Sequence, residues 1–256
     1  MTTTLGLPGT IQACLFDLDG VVTRTAVVHA AAWKETFDAF LYARGGDDFR
    51  PFDEGHDYDE YVDGRPRADG VRTFLASRDI ELPEGEPGDR PDAQTVHGLG
   101  NRKNELLLEK IRTQGVEAYD GTLRYIEAAR AQGLRTAIVS SSANTRDVLR
   151  SIDAEHLFEV RIDGVVAAER NLPGKPRPDT FLAAARDLGV EPSSAAVFED
   201  ALAGMDAGRA GNFGYVVGVD RVGQTDALYA HGADVVVKDL ADLADTAGRG
   251  EAGGRE

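Results

Sequence analysis

Four short stretches carry side chains suited to chemistry. In Leu15-Phe16-Asp17-Leu18-Asp19-Gly20 an apolar run ends in two carboxylates two residues apart, followed at once by a glycine. While the chain stays extended, that spacing turns both carboxylates to one side, and the glycine lets the backbone bend sharply after them. Taken alone, this is also what a strand leading into an Asx turn looks like. Ser140-Ser141-Ser142 offers hydroxyls and backbone N–H groups at the expected start of a helix, which suits an anion and equally suits simple N-capping. Gly174-Lys175-Pro176 sets one cation between two residues that constrain the backbone, where a solvated loop lysine is the plainer reading. Glu199-Asp200 supplies hard oxygen donors of the kind Mg²⁺ takes, or charges that complement a helix N-terminus.

The elements that must position these residues follow from the apolar pattern. β-branched or apolar runs at Ile11–Asp17, Leu134–Ser140, Ala195–Glu199, Tyr215–Val219 and Asp234–Val237 alternate with helical stretches. This predicts a doubly wound α/β core with a parallel sheet and helices on both faces. All four stretches fall just past a predicted strand, or in the loops beside one, and so at one edge of the sheet. Gly189, Gly211 and Gly232 stand where left-handed residues are expected to end helices. Between Val27 and Val116 the pattern changes to helical spacing: Trp33, Phe37 and Leu41 form one stripe, Leu106, Leu107 and Ile111 another. The chain is therefore expected to divide into an α/β core of residues 1–26 and 117–256 and an inserted helical cap of residues 27–116. Within the cap, Gly45–Asp59 and Pro83–Ala93 are expected as surface loops, and residues 246–256 as a disordered tail. An insertion after the first strand hangs over the C-terminal strand ends, where open α/β sheets bind ligands, and is placed to act as a lid.

Composition narrows the function classes. The chain has 256 residues and a net charge of −16, which disfavours nucleic-acid and anionic-membrane partners without a local basic patch. Its 42% hydrophobic content supports a real core. The single cysteine, Cys14, forbids an intrachain disulfide and a multi-thiolate zinc site, in keeping with a reducing cytoplasm. No apolar stretch approaches the ~20 residues that cross a bilayer. Gly98-Leu99-Gly100 lacks the third glycine of a dinucleotide loop, and the five histidines lack metal-ligand spacing.

In order, the Asp-x-Asp-Gly, Ser, Lys-Pro and Glu-Asp stretches resemble the haloacid dehalogenase superfamily across nearly the whole chain. Asp19-Gly20-Val21 with Thr25, His29 and Trp33, Arg67, Arg102-Lys103-Asn104, Ser140 to Asn144 and Gly174 to Asp179 are similar to its β-phosphoglucomutase-like subfamily. The resemblance implies Mg²⁺-dependent phosphoryl transfer through an aspartyl-phosphate, interconverting β-glucose 1-phosphate and glucose 6-phosphate by way of the 1,6-bisphosphate. Asp17 is then the nucleophile and Asp19 the general acid and base, with a pKa raised so that it carries a proton at neutral pH. The ion would be held by Asp17, the Asp19 carbonyl, Glu199 and Asp200. Ser140 and Lys175 would hold the phosphoryl group, Thr25 and His29 would set Asp19, and Arg67, Trp33, Lys103, Ser141, Ser142 and Asn144 would bind substrate.

The expected partner is a small sugar phosphate, with the bisphosphate as activator, handled by a monomer. Three positions depart from the subfamily: Ala143 replaces a common lysine, Arg24 an acid, and Asp63 a lid lysine. They bear on which sugar phosphate is used. A phosphatase on the same scaffold is the alternative, and a non-catalytic sugar-phosphate sensor a more distant one.

Overall fold

The structure, a computed structural model, describes residues 5–244; the expected tail at 246–256 lies outside the described residues. Two compact units are present: Thr25–Val116 forms one, and the described residues before Thr25 and after Val116 form the other.

In chain order the elements are β1 (Ala13–Phe16), α1 (Ala26–Gly45), α2 (His56–Tyr61), α3 (Arg67–Ala76), α4 (Val96–Gln114), α5 (Asp120–Ala131) and β2 (Arg135–Val139). They continue with α6 (Thr145–Ser151), β3 (Val160–Ile162), α7 (Gly164–Glu169), α8 (Asp179–Asp187), β4 (Ala195–Glu199), α9 (Leu202–Ala210), β5 (Tyr215–Val219), α10 (Thr225–Ala230) and β6 (Val235–Val237). The six strands form one sheet in the order β3-β2-β1-β4-β5-β6, and every neighbouring pair is parallel. This is the expected doubly wound α/β core, with the strand order reversing direction at β1, the place where such sheets bind ligands.

Alternation along the strands explains the layers. Ala13 and Leu15 of β1, Ala137 and Val139 of β2, and Ala195 and Val197 of β4 join one buried cluster with Phe181 of α8, Met205 of α9 and Leu228 of α10. Residues one step along face the other way: Phe16 stacks on Phe198 with ring centroids 4.4 Å apart, and Tyr125 of α5 meets Phe198 edge-on at 5.5 Å. Three consecutive buried alanines, Ala183 to Ala185, let α8 lie close on the sheet. Cys14 is buried in β1, and burial pushes its thiol far up, so it is an inert core residue.

One expected helix stop needs correction, and one strand was not anticipated. Gly211 has φ −79° and is not left-handed; the next residue, Asn212, takes that conformation at φ +53°. A Cβ at 211 would sit 2.5 Å from the Phe213 ring, so the glycine there makes room for the ring. The strand β3 lacks an apolar signature because it is three residues long, with Arg161 at its centre.

The Thr25–Val116 unit is all helical. α1 packs on α4, α3 on α4, and α2 on α3, around the aromatic residues Trp33, Phe37, Phe52 and Phe74. Thr95 caps α4 by accepting from the Gly98 N–H at 2.9 Å. Pro83–Ala93 contains neither helix nor strand, whereas Gly45–Asp59 is not simply a surface loop. It contributes the first turn of α2, buries Phe52, and buries Asp57 against Arg78 at 2.5 Å. A polar stretch with only Phe49, Phe52 and Tyr58 as apolar anchors has no periodicity to announce this. Among the described residues, no helix is long and apolar enough to cross a membrane.

Candidate active site

The ends of three adjacent strands set the site. Phe16 is level with Ile138 on one side and with Phe198 on the other, so the residues just beyond stand side by side at the C-terminal edge of the sheet. Those residues include Asp17 after β1, Ser140 after β2, and Glu199 with Asp200 at the end of β4. Backbone bonds carry the ladders one step further, from the Asp17 N–H to the Phe198 carbonyl at 2.9 Å and from the Ser140 N–H to the Ile162 carbonyl at 3.0 Å.

Lys175 enters from the loop between α7 and α8 and is 1% exposed. Its ammonium group donates to Asp17 Oδ1 at 2.5 Å and to the Val139 carbonyl at 3.1 Å, and it pairs with Glu199 Oε1 at 2.5 Å. The ammonium thus gives two hydrogen bonds and faces the Glu199 carboxylate as an ion pair. The second Glu199 oxygen accepts from the N–H groups of Asp200 and Ala201, at 3.1 and 3.2 Å. Glu199 is thereby fixed from both ends.

Burial pushes the Asp17 carboxyl up to about 6, with the Lys175 ammonium pulling it down and the Asp19 charge adding to the rise. Glu199 goes up to about 7 for the same first reason, again opposed by Lys175 and assisted by Asp17. For Lys175 burial acts downward, and the two carboxylates outweigh it, so its net shift is up. The three groups are held together by mutual charge compensation.

Carboxylate oxygens of Asp17, Glu199 and Asp200, all buried, lie within 4.8 Å of one another. With all three ionised and Lys175 charged, the cluster carries −2, in a setting where unpaired charge is expensive. Hard oxygen donors with that residual charge fit a divalent cation. Gly20 makes the approach of the two acidic turns possible. It has φ +90°, and a Cβ there would fall 1.6 Å from Asp200 Oδ2. Asp19, half-buried, sits in the same turn, which Thr23 closes by donating from its hydroxyl to the Leu18 carbonyl at 3.2 Å.

The serine segment is a turn and not the first turn of a helix, because α6 begins only at Thr145. Ser140 Oγ accepts from the Ser142 N–H at 3.0 Å, and Ser142 Oγ from the Asn144 N–H at 3.2 Å. These hydroxyls shape the segment. Ser140 is buried, while Ser141, Ser142 and Asn144 are half-buried.

A second cluster lies within the helical unit. Lys103 of α4 is buried, and its ammonium group is 3.0 Å from His29 Nδ1 and 4.9 Å above the Trp33 ring. Since an ammonium can only donate, Nδ1 accepts and the imidazole proton belongs on Nε2. Burial and the Lys103 charge hold His29 well below the ordinary imidazole range, so the ring is neutral. Trp33 is 3% exposed and stacked on Phe37 at 4.9 Å. In this structure the Trp33 ring is thus packed in the core of the helical unit, between Phe37 and the Lys103 ammonium. Thr25 is buried at the N-cap position of α1, though its side chain makes no capping bond there. Arg67 opens α3 and packs its methylenes on Gly100, 3.3 Å from where a Cβ would be. Burial lowers its guanidinium pKa, and it forms no ion pair among the described residues.

Sequence reasoning missed the segment Asp220–Thr225 after β5. Arg221 Nε donates to the Gly20 carbonyl at 2.8 Å, and Gln224 Nε2 donates to the Asp200 carbonyl at 3.1 Å. The available signal was its position past a predicted strand, at the same sheet edge as the acidic pairs.

Comparison with known proteins agrees with this geometry. A family model described as haloacid dehalogenase-like hydrolase matches residues 11–212. A β-phosphoglucomutase of Mycobacterium tuberculosis is 56% identical over 245 residues, covering 93% of this chain and 94% of its own. A β-phosphoglucomutase of Bacillus subtilis is 30% identical over 233 residues, covering 91% and 92%. The crystal structure of a β-phosphoglucomutase from Clostridium difficile shares the fold with a TM-score of 0.73 at 24% identity, covering 94% of this chain and 96% of that one. Matched along nearly its whole length, the chain belongs to the haloacid dehalogenase-like hydrolase family and, within it, to the β-phosphoglucomutase-like subfamily.

Proposed function

We propose that this phosphoglucomutase-like enzyme interconverts β-glucose 1-phosphate and glucose 6-phosphate by Mg²⁺-dependent phosphoryl transfer through an aspartyl-phosphate at Asp17. The observation that carries the reading is a buried Asp17 carboxylate, 2.5 Å from the Lys175 ammonium, beside Glu199 and Asp200 at the C-terminal edge of the sheet. The 56% identity to a β-phosphoglucomutase over 93% of the chain supports the substrate.

Repulsion between the nucleophile and a phosphate dianion is the main barrier, roughly 4 kcal/mol per charge pair at 4 Å and an effective dielectric of 20. Lys175 offsets part of it and holds the Asp17 carboxylate in one orientation. Asp17, Asp200, the Asp19 carbonyl and the adjacent Glu199 would hold a Mg²⁺ ion, which would supply the remaining positive charge. An oxygen of Asp17 attacks phosphorus, the bond to the donor sugar oxygen breaks, and Asp19 gives that oxygen its proton. In the return step Asp19 takes the proton of the accepting hydroxyl as the phosphoryl group leaves Asp17. Ser140 positions the group in transfer, with Ser141, Ser142 and Asn144 beside it. Arg67, a cation without an acidic partner among the described residues, is suited to the non-reacting phosphate. By the family resemblance, Thr25 and His29 would set Asp19, and Lys103 and Trp33 would bind substrate. A sugar bisphosphate primes the enzyme, which acts as a cytoplasmic monomer.

The departure at Ala143, which is exposed and carries no charge, favours a second reading: a sugar-phosphate phosphatase, with water accepting the group from Asp17. Phosphorus NMR with hexose phosphates, with and without catalytic glucose 1,6-bisphosphate, decides between them. Migration primed by the bisphosphate is expected; steady release of inorganic phosphate, indifferent to it, would establish the phosphatase. Asp17→Ala should abolish both, and retained turnover in that variant would remove the covalent step.

A further inference from the structure

The two acidic turns are held from behind by one segment, Asp220–Thr225, whose side chains bond both to main chain and to one another, with Arg221 also 3.7 Å from the Asp239 carboxylate. Asp220, 7% exposed, starts it: Oδ1 accepts from the N–H groups of Gly223 and Gln224 at 2.6 and 2.9 Å, and Oδ2 from the Thr225 hydroxyl. The Asp220 N–H itself donates to the Val237 carbonyl at 2.8 Å. From this braced turn the Arg221 guanidinium reaches two carbonyls, Gly20 through Nε at 2.8 Å and Lys238 through Nη1 at 2.5 Å. Its flat face lies on the Tyr119 ring, with Cζ 3.5 Å from the centroid, and its side chain is 14% exposed. Three residues further on, Gln224 donates to the Asp200 carbonyl at 3.1 Å.

Gly20 follows Asp19 directly, and its Cα hydrogens press on the Asp200 carboxylate, so a drift of this backbone would displace both acidic turns together. We propose that Arg221 and Gln224 are positioning residues. They lock the Asp19-Gly20 and Asp200 main chain so that the oxygen donors for the divalent ion are preset before the ion arrives. The inference rests on the reading that Asp17, the Asp19 carbonyl and Asp200 hold that ion. Groups that orient metal ligands without touching the metal commonly contribute ten- to a hundredfold in affinity. A planar guanidinium fork suits the task because it spans two carbonyls at fixed angles, which an ammonium cannot do.

The test is Mn²⁺ binding, followed by electron paramagnetic resonance of free Mn²⁺, for the full chain and for R221M, R221K and Q224L, with thermal melts in chelator alongside. R221M and Q224L should each bind Mn²⁺ about tenfold or more weakly. R221K should recover part of the loss through one carbonyl, whatever its melting temperature. If R221M fails to fold, R221K and Q224L carry the test. Mn²⁺ affinities within twofold of the parent in the folded variants would overturn the proposal. Phosphoryl transfer by the parent is assayed in parallel: a parent that transfers normally beside variants with undiminished affinity sinks the positioning role alone. A parent that binds Mn²⁺ without transferring, beside weakened variants, sinks the enzymatic reading and supports the positioning role.

Discussion

Replacing Lys175 by methionine tests the charge balance of the site most directly. The side chain keeps its length and apolar contacts but loses the ammonium that holds Asp17 and Glu199, each at 2.5 Å, in a fully buried setting. Removing one partner of a buried ion pair typically costs about 3–5 kcal/mol because the other is left uncompensated. At ~2–4 °C per kcal/mol for chains of this size, the melting temperature at pH 7 in chelator should fall by roughly 6–20 °C. The pH dependence gives the sharper signature. Burial already holds Asp17 at about 6 and Glu199 at about 7 with Lys175 pulling both down, so both rise further in the variant. An acid whose folded pKa lies above its unfolded value contributes stability that is complete below the unfolded pKa and is lost as pH rises through the folded one. At pH 5 both carboxyls are protonated in the variant and little charge is left unpaired, whereas at pH 8 both are driven to ionise. The gap in melting temperature between parent and variant should therefore widen from pH 5 to pH 8. Phosphoryl transfer should fall at least ~10²-fold, the scale of losing one preorganised electrostatic group. A gap that stays constant between pH 5 and pH 8, or a variant with parental turnover, would refute the assigned compensation.

The same linkage predicts that the parent, kept free of metal, loses stability on account of these two groups as pH rises from about 4 to 7, and that saturating Mg²⁺ offsets it by about 2.7 kcal/mol at a hundred times its Kd. Melts of equal pH slope with Mg²⁺ and with chelator would contradict this. Gly20→Ala places a Cβ 1.6 Å from Asp200 Oδ2 at φ +90°, so Mn²⁺ binding should weaken about tenfold or more, and a titration matching the parent would count against the close approach of the two turns. Lys103→Met removes the charge that assists burial in lowering His29, so proton NMR should show the imidazole titrating closer to its ordinary range; an unmoved titration would mean burial alone sets it.

The sheet was legible where strands are buried on both faces, because Leu15-Phe16, Ala137 to Val139 and Ala195 to Phe198 must be apolar without interruption. β3 escaped because an edge strand of three residues need not be, and Phe52 and Asp57 escaped because one ring and one ion pair bury a loop without any period. At the site, each acidic pair and Lys175 had an ordinary reading when taken alone, and only their order along the chain, through the family resemblance, singled them out; their burial and their contact across the α7–α8 loop and the strand ends appear only in the fold. For Trp33 a motif gives the residue's position but not the direction of its side chain, and the structure packs the ring against Phe37 and Lys103. Arg221 is harder still. It acts by donating to the carbonyls of Gly20 and Lys238, and a main-chain carbonyl leaves no mark on the sequence. What the chain encodes by side-chain identity can be anticipated, whereas the precision of the site depends on contacts to backbone that only folding brings together.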